Sequence, residues 1–535
     1  MSIVVVGSGP SGVHFAQTLL AKGHDVTLID AGRTPPDPVM PDRGLNELKE
    51  ELDDPAAYFL GRNFEGVSLP RDSDEYYGIP PHKQYIFDVP PELECRADGF
   101  EPLFSFAQGG LAQAWTGGCY PFNEHELAEF PFPAEALSPA YDEVAKRIGI
   151  SGLIDDLAPF IPAHEHLQGP LPLDESSEIL LRRYERRRAI LNAGHGLYLG
   201  RSRVATLTRP LGDREPCSRL GRCLWGCPTS SLYTPELTLK ECLRSSRFRY
   251  VPGVYVTSFR CDDRRRVNAV VAKPVAGGDP IEIPAGRLAL AAGALSTTRI
   301  LLQSVFESSG ELPRLGGLMD NRQVLVPFSN LRMLGRPFEP RNYQYNKLCL
   351  GIEVERPAEY VHGLVTTLTT AMIHPIAQQL PLDLATALYV TRAMHSTLGL
   401  VNLNFHDTRR EDNQVWLTPR GDENLPRLTM AYRPPSDEGD RLRYATKVLR
   451  RALLRLGCVV PPGMVHARPM GSGVHYSGTL PMTLEDRPYT TRPDGSSRDF
   501  DGLVVVDGAT FPFLPAKNIT FTLMANAVRI AETAF

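Results

Sequence analysis

The hydrophobic pattern of this chain opens with IVVV at residues 3–6, an unbroken run of β-branched positions. Such a run predicts a strand buried on both faces of a parallel sheet, because a half-exposed strand would alternate apolar with polar. GSGPSG follows at residues 7–12, and then Val13, Ala16, Leu19 and Leu20 recur at helical spacing until Gly23 ends the pattern. A second unbroken run, Val26 to Ile29, stops at Asp30. The chain therefore begins as strand, glycine loop, helix, strand and acid.

Two later segments repeat the strand-to-helix junction. Residues 288–291 read as a strand, Ala292, Gly293 and Ala294 as a small-residue turn, and a helix capped near Ser296 follows. Small residues at such a place let a flat or charged group approach the backbone. Residues 503–506 read as the last buried strand, closed by Asp507 and Gly508, and a final helix opens near Thr520 or Thr522, where its first amides are free to donate. The three junctions are expected in one sheet. Upstream, RFRYVPGVYVTSF and RRVNAVVA alternate as a β-meander. Residues 365–407 are mostly apolar and read as a helix and strand pair, forming core, the roof of a substrate cavity or a membrane-surface lid. Residues 33–100, broken by stretches such as TPPDPVMPD, read as long loops with short helices.

Composition narrows the classes. With 535 residues, 42% hydrophobic and 22% charged, the chain can bury a sizeable core in several domain-sized units. Its net charge of −5 offers no positive field for a phosphate backbone, which excludes nucleic acid as the main partner. Met1 leads directly into the first strand with no basic and apolar leader, and no run approaches the roughly 18 apolar residues of a membrane span. Nine cysteines, an odd number over a long chain, read as reduced thiols. Together these features lead us to expect a cytoplasmic protein.

The opening unit carries chemistry. Gly7 permits the tight turn, Gly9 lets amides reach a pyrophosphate at the positive end of the helix, and Gly12 lets helix and strand approach. Asp30, eighteen residues after Gly12, is placed to accept hydrogen bonds from an adenosine ribose. This unit alone does not distinguish FAD from a nicotinamide dinucleotide.

Five further segments extend the pattern: GGLAQAWTGGCYPF (109–122), LALAAGALSTTRILLQS (288–304), DNQVWLTPRGDENLPRLTMAY (412–432), VHYSGTLPM (474–482) and DGATFPFLPAKNITFTLMANAVRIAE (507–532). In this order they resemble the glucose-methanol-choline (GMC) family of FAD-dependent oxidoreductases over nearly the whole chain. The resemblance implies an α/β fold in which a Rossmann-type FAD-binding domain, of the GMC and p-hydroxybenzoate hydroxylase-like architecture, is intertwined with an antiparallel-sheet-plus-helices substrate domain. The expected division is 1–130, 211–310 and 470–535 for FAD, with 131–210 and 311–469 for substrate. It further implies cofactor contacts at Gly7, Gly9, Ser11, Gly12, Asp30, Gly109, Gly110, Trp115, Thr116, Val256, Ala292, Gly293, Asp507, Gly508 and Thr520. Trp115 and Thr116 read equally well as simple core.

By the same resemblance His475 is the general base and Asn518 its partner. Oxidation of a CH–OH group removes a hydroxyl proton, for which an imidazole of pKa about 6.5 is suited, and a hydride, which flavin N5 accepts. The expected substrate is an alcohol, sugar or hydroxylated secondary metabolite, with oxygen or another electron acceptor; a non-oxidative lyase or decarboxylase of the same fold is the alternative. The glycines around His475 read as clearance for the flavin and substrate, and the segment carrying Asn518 as what holds the histidine still. Where some relatives link the flavin covalently through histidine, this chain has Gln113 or Ala114, so non-covalent FAD is expected. Ile519 stands where proline is common, and Leu480-Pro481-Met482 also departs from the usual pattern. Cys217, Cys223 and Cys227 lack a standard metal spacing and read as a structural or flavin-side loop, with no metal site assigned. His164 and His166 read as solvated.

Overall fold

In the computed structural model of the protein, which describes residues 2–35, 42–64, 66, 78–369, 377, 380–421 and 425–535, the unbroken apolar runs meet in one sheet. Its five parallel strands are β1 (Ile3–Val6), β2 (Val26–Ile29), β3 (Phe248–Val251), β4 (Leu288–Leu290) and β5 (Leu503–Val505), in the order β5-β4-β1-β2-β3. Three helices attend it: α1 (Pro10–Ala21), α2 (Ala294–Ser309) and α3 (Thr520–Ala534). The strands lack polar alternation because both faces are covered. Ile3, Val5, Ala289 and Val504 pack with Phe15 and Leu19 of α1 and Ala527 and Ile530 of α3. Their neighbours Val4, Val6, Leu288, Leu290, Leu503 and Val505 face α2 and a three-stranded antiparallel sheet, Val254–Cys261, Val267–Pro274 and Ile281–Pro284.

The alternating stretch before β4 divides between two sheets. Phe248–Val251 pairs in parallel with β2, and only the strands beyond Gly253, whose φ of +81° turns the chain, form the meander. Helix α2 also starts three residues earlier than expected, with Gly293 as its N-cap and Ser296 inside its first turn. Short helices Leu45–Glu51 and Pro55–Leu60 occupy the early insertion as expected, whereas most of TPPDPVMPD lies outside the described residues.

A second, antiparallel sheet runs in the order Cys458–Val459, Gln323–Asn330, Leu398–Asn404, Val361–Thr367, Leu348–Ile352 and Leu197–Arg201, with His466–Ala467 also paired to Gln323–Asn330. One face is sealed by helices Glu175–His195 and Glu438–Leu456 through Leu180, Tyr184, Leu449 and Leu453. The other face, carrying Leu325, Pro327, Leu364, Leu398, Leu400 and Asn402, is one wall of a large cavity. Helix Leu384–Met394 contributes Val390 and Met394 to the same cavity, while residues 370–376 and 378–379 of the apolar stretch lie outside the described residues. The hairpin Gln414–Thr418 and Arg427–Ala431 belongs to a separate four-stranded sheet and shares its core with α2. Among the described residues no helix is long and apolar enough to cross a membrane.

Candidate active site

The cavity, about 1220 Å³, lies where the carboxyl ends of β1, β2 and β4 meet the antiparallel wall, the place where open α/β sheets take ligands. Its volume exceeds the 300–1,000 Å³ typical of a single small-ligand pocket. At one end the glycine loop is built as its spacing required. A Cβ on Gly7 (φ +102°) would stand 2.6 Å from the Ala291 carbonyl oxygen, and one on Gly12 1.9 Å from that of Gly7. A Cβ on Gly9 would meet nothing within 4 Å, so the open space lies over the start of α1, where helix amides are unpaired and Pro10 forfeits none that is needed.

Asp30 accepts from the Ser8 hydroxyl and, at 3.3 Å, from Tyr250 OH; Ser8 Oγ in turn accepts from Gly109 N–H at 2.8 Å. Burial pushes the Asp30 carboxyl up to about 6, partly offset by these hydroxyls. On the far side of the sheet Asp507 ties two junctions together. Its Oδ2 accepts from Gly293 N–H at 2.9 Å and Thr297 Oγ1 at 2.5 Å, and its Oδ1 from Ala509 N–H at 3.0 Å. A Cβ on Gly293 would also meet open space. Trp115 donates to the Tyr233 carbonyl at 2.7 Å, and Asn346 Nδ2 donates to Thr116 Oγ1 at 3.0 Å, so both residues are oriented at the cavity's edge.

Gly7, Gly9, Ser11, Asp30, Gly110, Trp115, Thr116, Val256, Ala292, Gly293, Asp507, Gly508 and Thr520 all line this one cavity. Gly12 and Gly109 stand behind the lining, Gly12 against Gly7 and Gly109 against the Gln113 amide, whose Nε2 donates to the Gln108 carbonyl at 2.9 Å. Open space over two glycine-started helices, a buried acceptor at Asp30 and the cavity's extent fit a dinucleotide.

His475 and Asn518 line the same cavity. His475 is 7% exposed, and burial pulls its imidazole down to about 4, so it is neutral at ordinary pH. Asn518 Oδ1 is buried with no hydrogen-bond partner among the described residues. The residue before it, Lys517, donates to the Pro121 carbonyl at 2.7 Å and pairs with Glu126 at 2.6 Å, both side chains being fully buried.

What holds His475 differs from expectation. Asp320 accepts three backbone N–H groups of its loop, from Gly471 at 2.9 Å, Gly473 at 3.1 Å and His475 itself at 2.8 Å, and Asn321 Oδ1 lies 2.8 Å from His475 Nδ1. Val474, a β-branched residue at φ +55°, is held in the left-handed region by this clamp. The loop glycines clear protein: a Cβ on Gly471 would strike the Glu101 backbone at 2.4 Å, one on Gly473 the Asn321 carbonyl oxygen at 2.5 Å, and one on Gly478 the Gly317 carbonyl oxygen at 2.4 Å. Asp320 and Asn321 were not singled out in the sequence, although an Asp-Asn pair inside the apolar stretch LGGLMDNRQVLVPF is a visible signal.

Other groups lie elsewhere. Cys217 and Cys223 pack beside Leu171, Val204 and Tyr343, and among the described residues no three His, Cys, Asp or Glu side chains gather as a metal site. His164 is half-buried against Phe521, 5.3 Å between ring centres, which corrects its reading as solvated; His166 is exposed. Beyond the cradle the lining mixes apolar side chains such as Leu325, Leu364 and Met394 with polar ones, among them Gln323, Gln344, Asn402 and Arg468. The carboxylates lining the cavity among the described residues, Asp30 and Asp507, both belong to the glycine-cradle end.

Residues 409–527 match the family model described as GMC oxidoreductase, and residues 2–55 that described as pyridine nucleotide-disulphide oxidoreductase. The chain is 25% identical to paromamine 6'-oxidase of Streptomyces fradiae, over 99% of this chain and 90% of that protein, and 24% identical to C-glycoside 3-oxidase of Microbacterium trichothecenolyticum, over 99% and 96%. Its fold is similar to that of pyridoxine 4-oxidase from Mesorbium loti, with a TM-score of 0.63, 17% identity and coverage of 99% of this chain and 98% of that one.

Proposed function

We propose that this chain, an FAD-dependent oxidoreductase of the GMC type acting on hydroxyl groups, uses His475 as general base and Asn518 as its partner on an uncharged alcohol or glycoside. The reading rests on one observation: a buried neutral imidazole and an unpartnered amide oxygen line the same cavity as the glycine cradle. FAD, when bound, supplies the acceptance of a hydride that turns an alcohol into a carbonyl. The loop residues Gly7, Gly9 and Ser11 and the acid Asp30 would hold its adenosine and phosphate part, and Gly110, Trp115, Thr116 and Gly508 would flank its ring, without a covalent link. His475 takes the hydroxyl proton. The Asn518 amide orients the substrate oxygen without competing for that proton. The burial of His475 and of the Asn518 amide oxygen shields both groups from bulk water.

Two further parts of the reading follow from placement. All strands of the parallel sheet fall in 1–130, 211–310 and 470–535, and all strands of the large antiparallel sheet in 131–210 and 311–469, which supports that division into cofactor and substrate domains. The cavity's carboxylates are confined to the cradle and its lining arginines are Arg299 and Arg468, which favours a neutral alcohol or glycoside over a cationic substrate such as paromamine. The cytoplasm is the compartment we propose, on the nine unpaired cysteines.

Anaerobic bleaching of the bound flavin tests this. A neutral alcohol or glycoside should bleach it, paromamine should not, and His475→Ala should slow bleaching by about 10²–10⁴-fold while flavin content is kept. A flavin left oxidised by a broad alcohol panel, or substrate mass loss with no electron acceptor consumed, would overturn it.

A further inference from the structure

The contacts of Asn321 go beyond steric support. Its side chain is 1% exposed and touches three separate segments. Nδ2 lies 2.8 Å from the Phe405 carbonyl oxygen and 2.9 Å from that of Pro515. Carbonyl oxygens only accept, so the NH₂ end of the amide must face them, and the oxygen end must face His475. An amide oxygen also only accepts. The nitrogen 2.8 Å from it, Nδ1 of His475, must therefore carry hydrogen. A neutral imidazole has a single N–H, which leaves the lone pair on Nε2.

We propose that Asn321 is a positioning residue that sets the tautomer of His475, holding the proton on Nδ1 so that Nε2 is the basic atom, and that it spaces this base from Asn518. This rests on the reading of His475 as the base. The hydroxyl proton is transferred to Nε2, and the resulting imidazolium keeps its Nδ1–H on Asn321, in a bond strengthened by the new charge. The spacing follows from Pro515, three residues before Asn518, which hangs on the same amide. The clamp of Asp320 on the backbone of residues 471–475 removes the remaining freedom, so neither ring rotation nor loop movement can present Nδ1 to the cavity instead. The titratable groups around the imidazole are Asp320 beneath its backbone, Asp407 behind Asp320, and His362, with Lys517 beyond it. None of them touches Nδ1; that contact belongs to Asn321.

The test reads tautomer and rate separately. In ¹⁵N-histidine spectra of the wild-type holoenzyme, the signals lost in His475→Ala should show a protonated Nδ1 and an unprotonated Nε2. Asn321→Ala should mix the tautomers and lower the limiting bleaching rate at least tenfold with little change in the alcohol concentration needed; a wrong tautomer can cost up to about 10⁴-fold. Asn321→Asp restores an acceptor. It should recover part of that rate and move the acid limb of the pH profile upward, which lost packing alone would not do. A wild-type His475 protonated at Nε2, or an Asn321→Ala enzyme with unaltered rate, would overturn the proposal. If His475→Ala itself bleaches normally, the base assignment fails instead. Should Asn321→Ala lose its flavin, the wild-type spectrum still decides.

Discussion

His475 shows how far one residue depends on its surroundings. In water an imidazole is half protonated near pH 6.5; here burial lowers that to about 4. The neutral form therefore persists well below neutrality, and the rate of flavin bleaching at low alcohol concentration should stay flat as pH falls through 6.5 and drop only near 4. An acid limb at 6.5 would mean that the site is wetter than its burial implies. The same shift has a stability consequence. Between 4 and 6.5 the unfolded chain binds the proton that the folded one refuses, so His475 costs stability as pH falls through that window. Asp320 acts in the opposite sense, because burial pushes it up to about 7 against three amide donors; its contribution is greatest below the ordinary carboxylate range and is lost as pH rises towards 7. The proposed base His475 stands out in GSGVHYSGTLPM, yet its two supports, 154 and 155 residues away in sequence, do not.

At the scale of elements, the short helix Glu124–Leu127 and the segment before α3 are joined by one buried ion pair, Lys517 with Glu126. Burial pushes Lys517 down and Glu126 up, and each partner partly offsets the other's shift. Removing one member leaves the other uncompensated in the interior, which costs about 3–5 kcal/mol. Glu126→Gln should therefore lower the unfolding free energy by an amount of that order, read as a lower denaturant midpoint, and slow turnover by loosening Asn518; an unchanged midpoint would show that the pair does not hold this segment. The apolar runs of β1, β4 and β5 identified their elements because two-faced burial leaves no polar position to confuse them, and β2 has only Thr27, itself β-branched, as an interruption. The stretch from 247 to 274 was harder. Its first strand is partly exposed at the sheet edge, with the burial pattern of a meander strand, and only its parallel pairing with β2 assigns it.

At the scale of the whole molecule, the two largest sheets face one cavity, with separate cores behind them. A dinucleotide in the glycine cradle would be flanked by the parallel sheet and the starts of α1, α2 and α3, so it should stabilise the folded chain by mass action, about 2.7 kcal/mol when free FAD is a hundredfold above its dissociation constant. Stripping the flavin should lower the melting temperature, and FAD added back should restore it in a concentration-dependent way. A melting temperature indifferent to FAD would argue against the cradle as its site.

From the sequence alone came the strands and the turns, since these follow from neighbours: an unbroken β-branched run, a glycine where helix meets strand, an acid at a strand's end. The proposed pair, His475 and Asn518, was suggested by a motif. Tertiary structure alone decided what surrounds those residues. The Asp320 clamp and the orientation of the Asn321 amide join atoms from residues 320, 321, 405, 475 and 515, and hydrogen bonds between such distant positions leave no periodic trace along the chain.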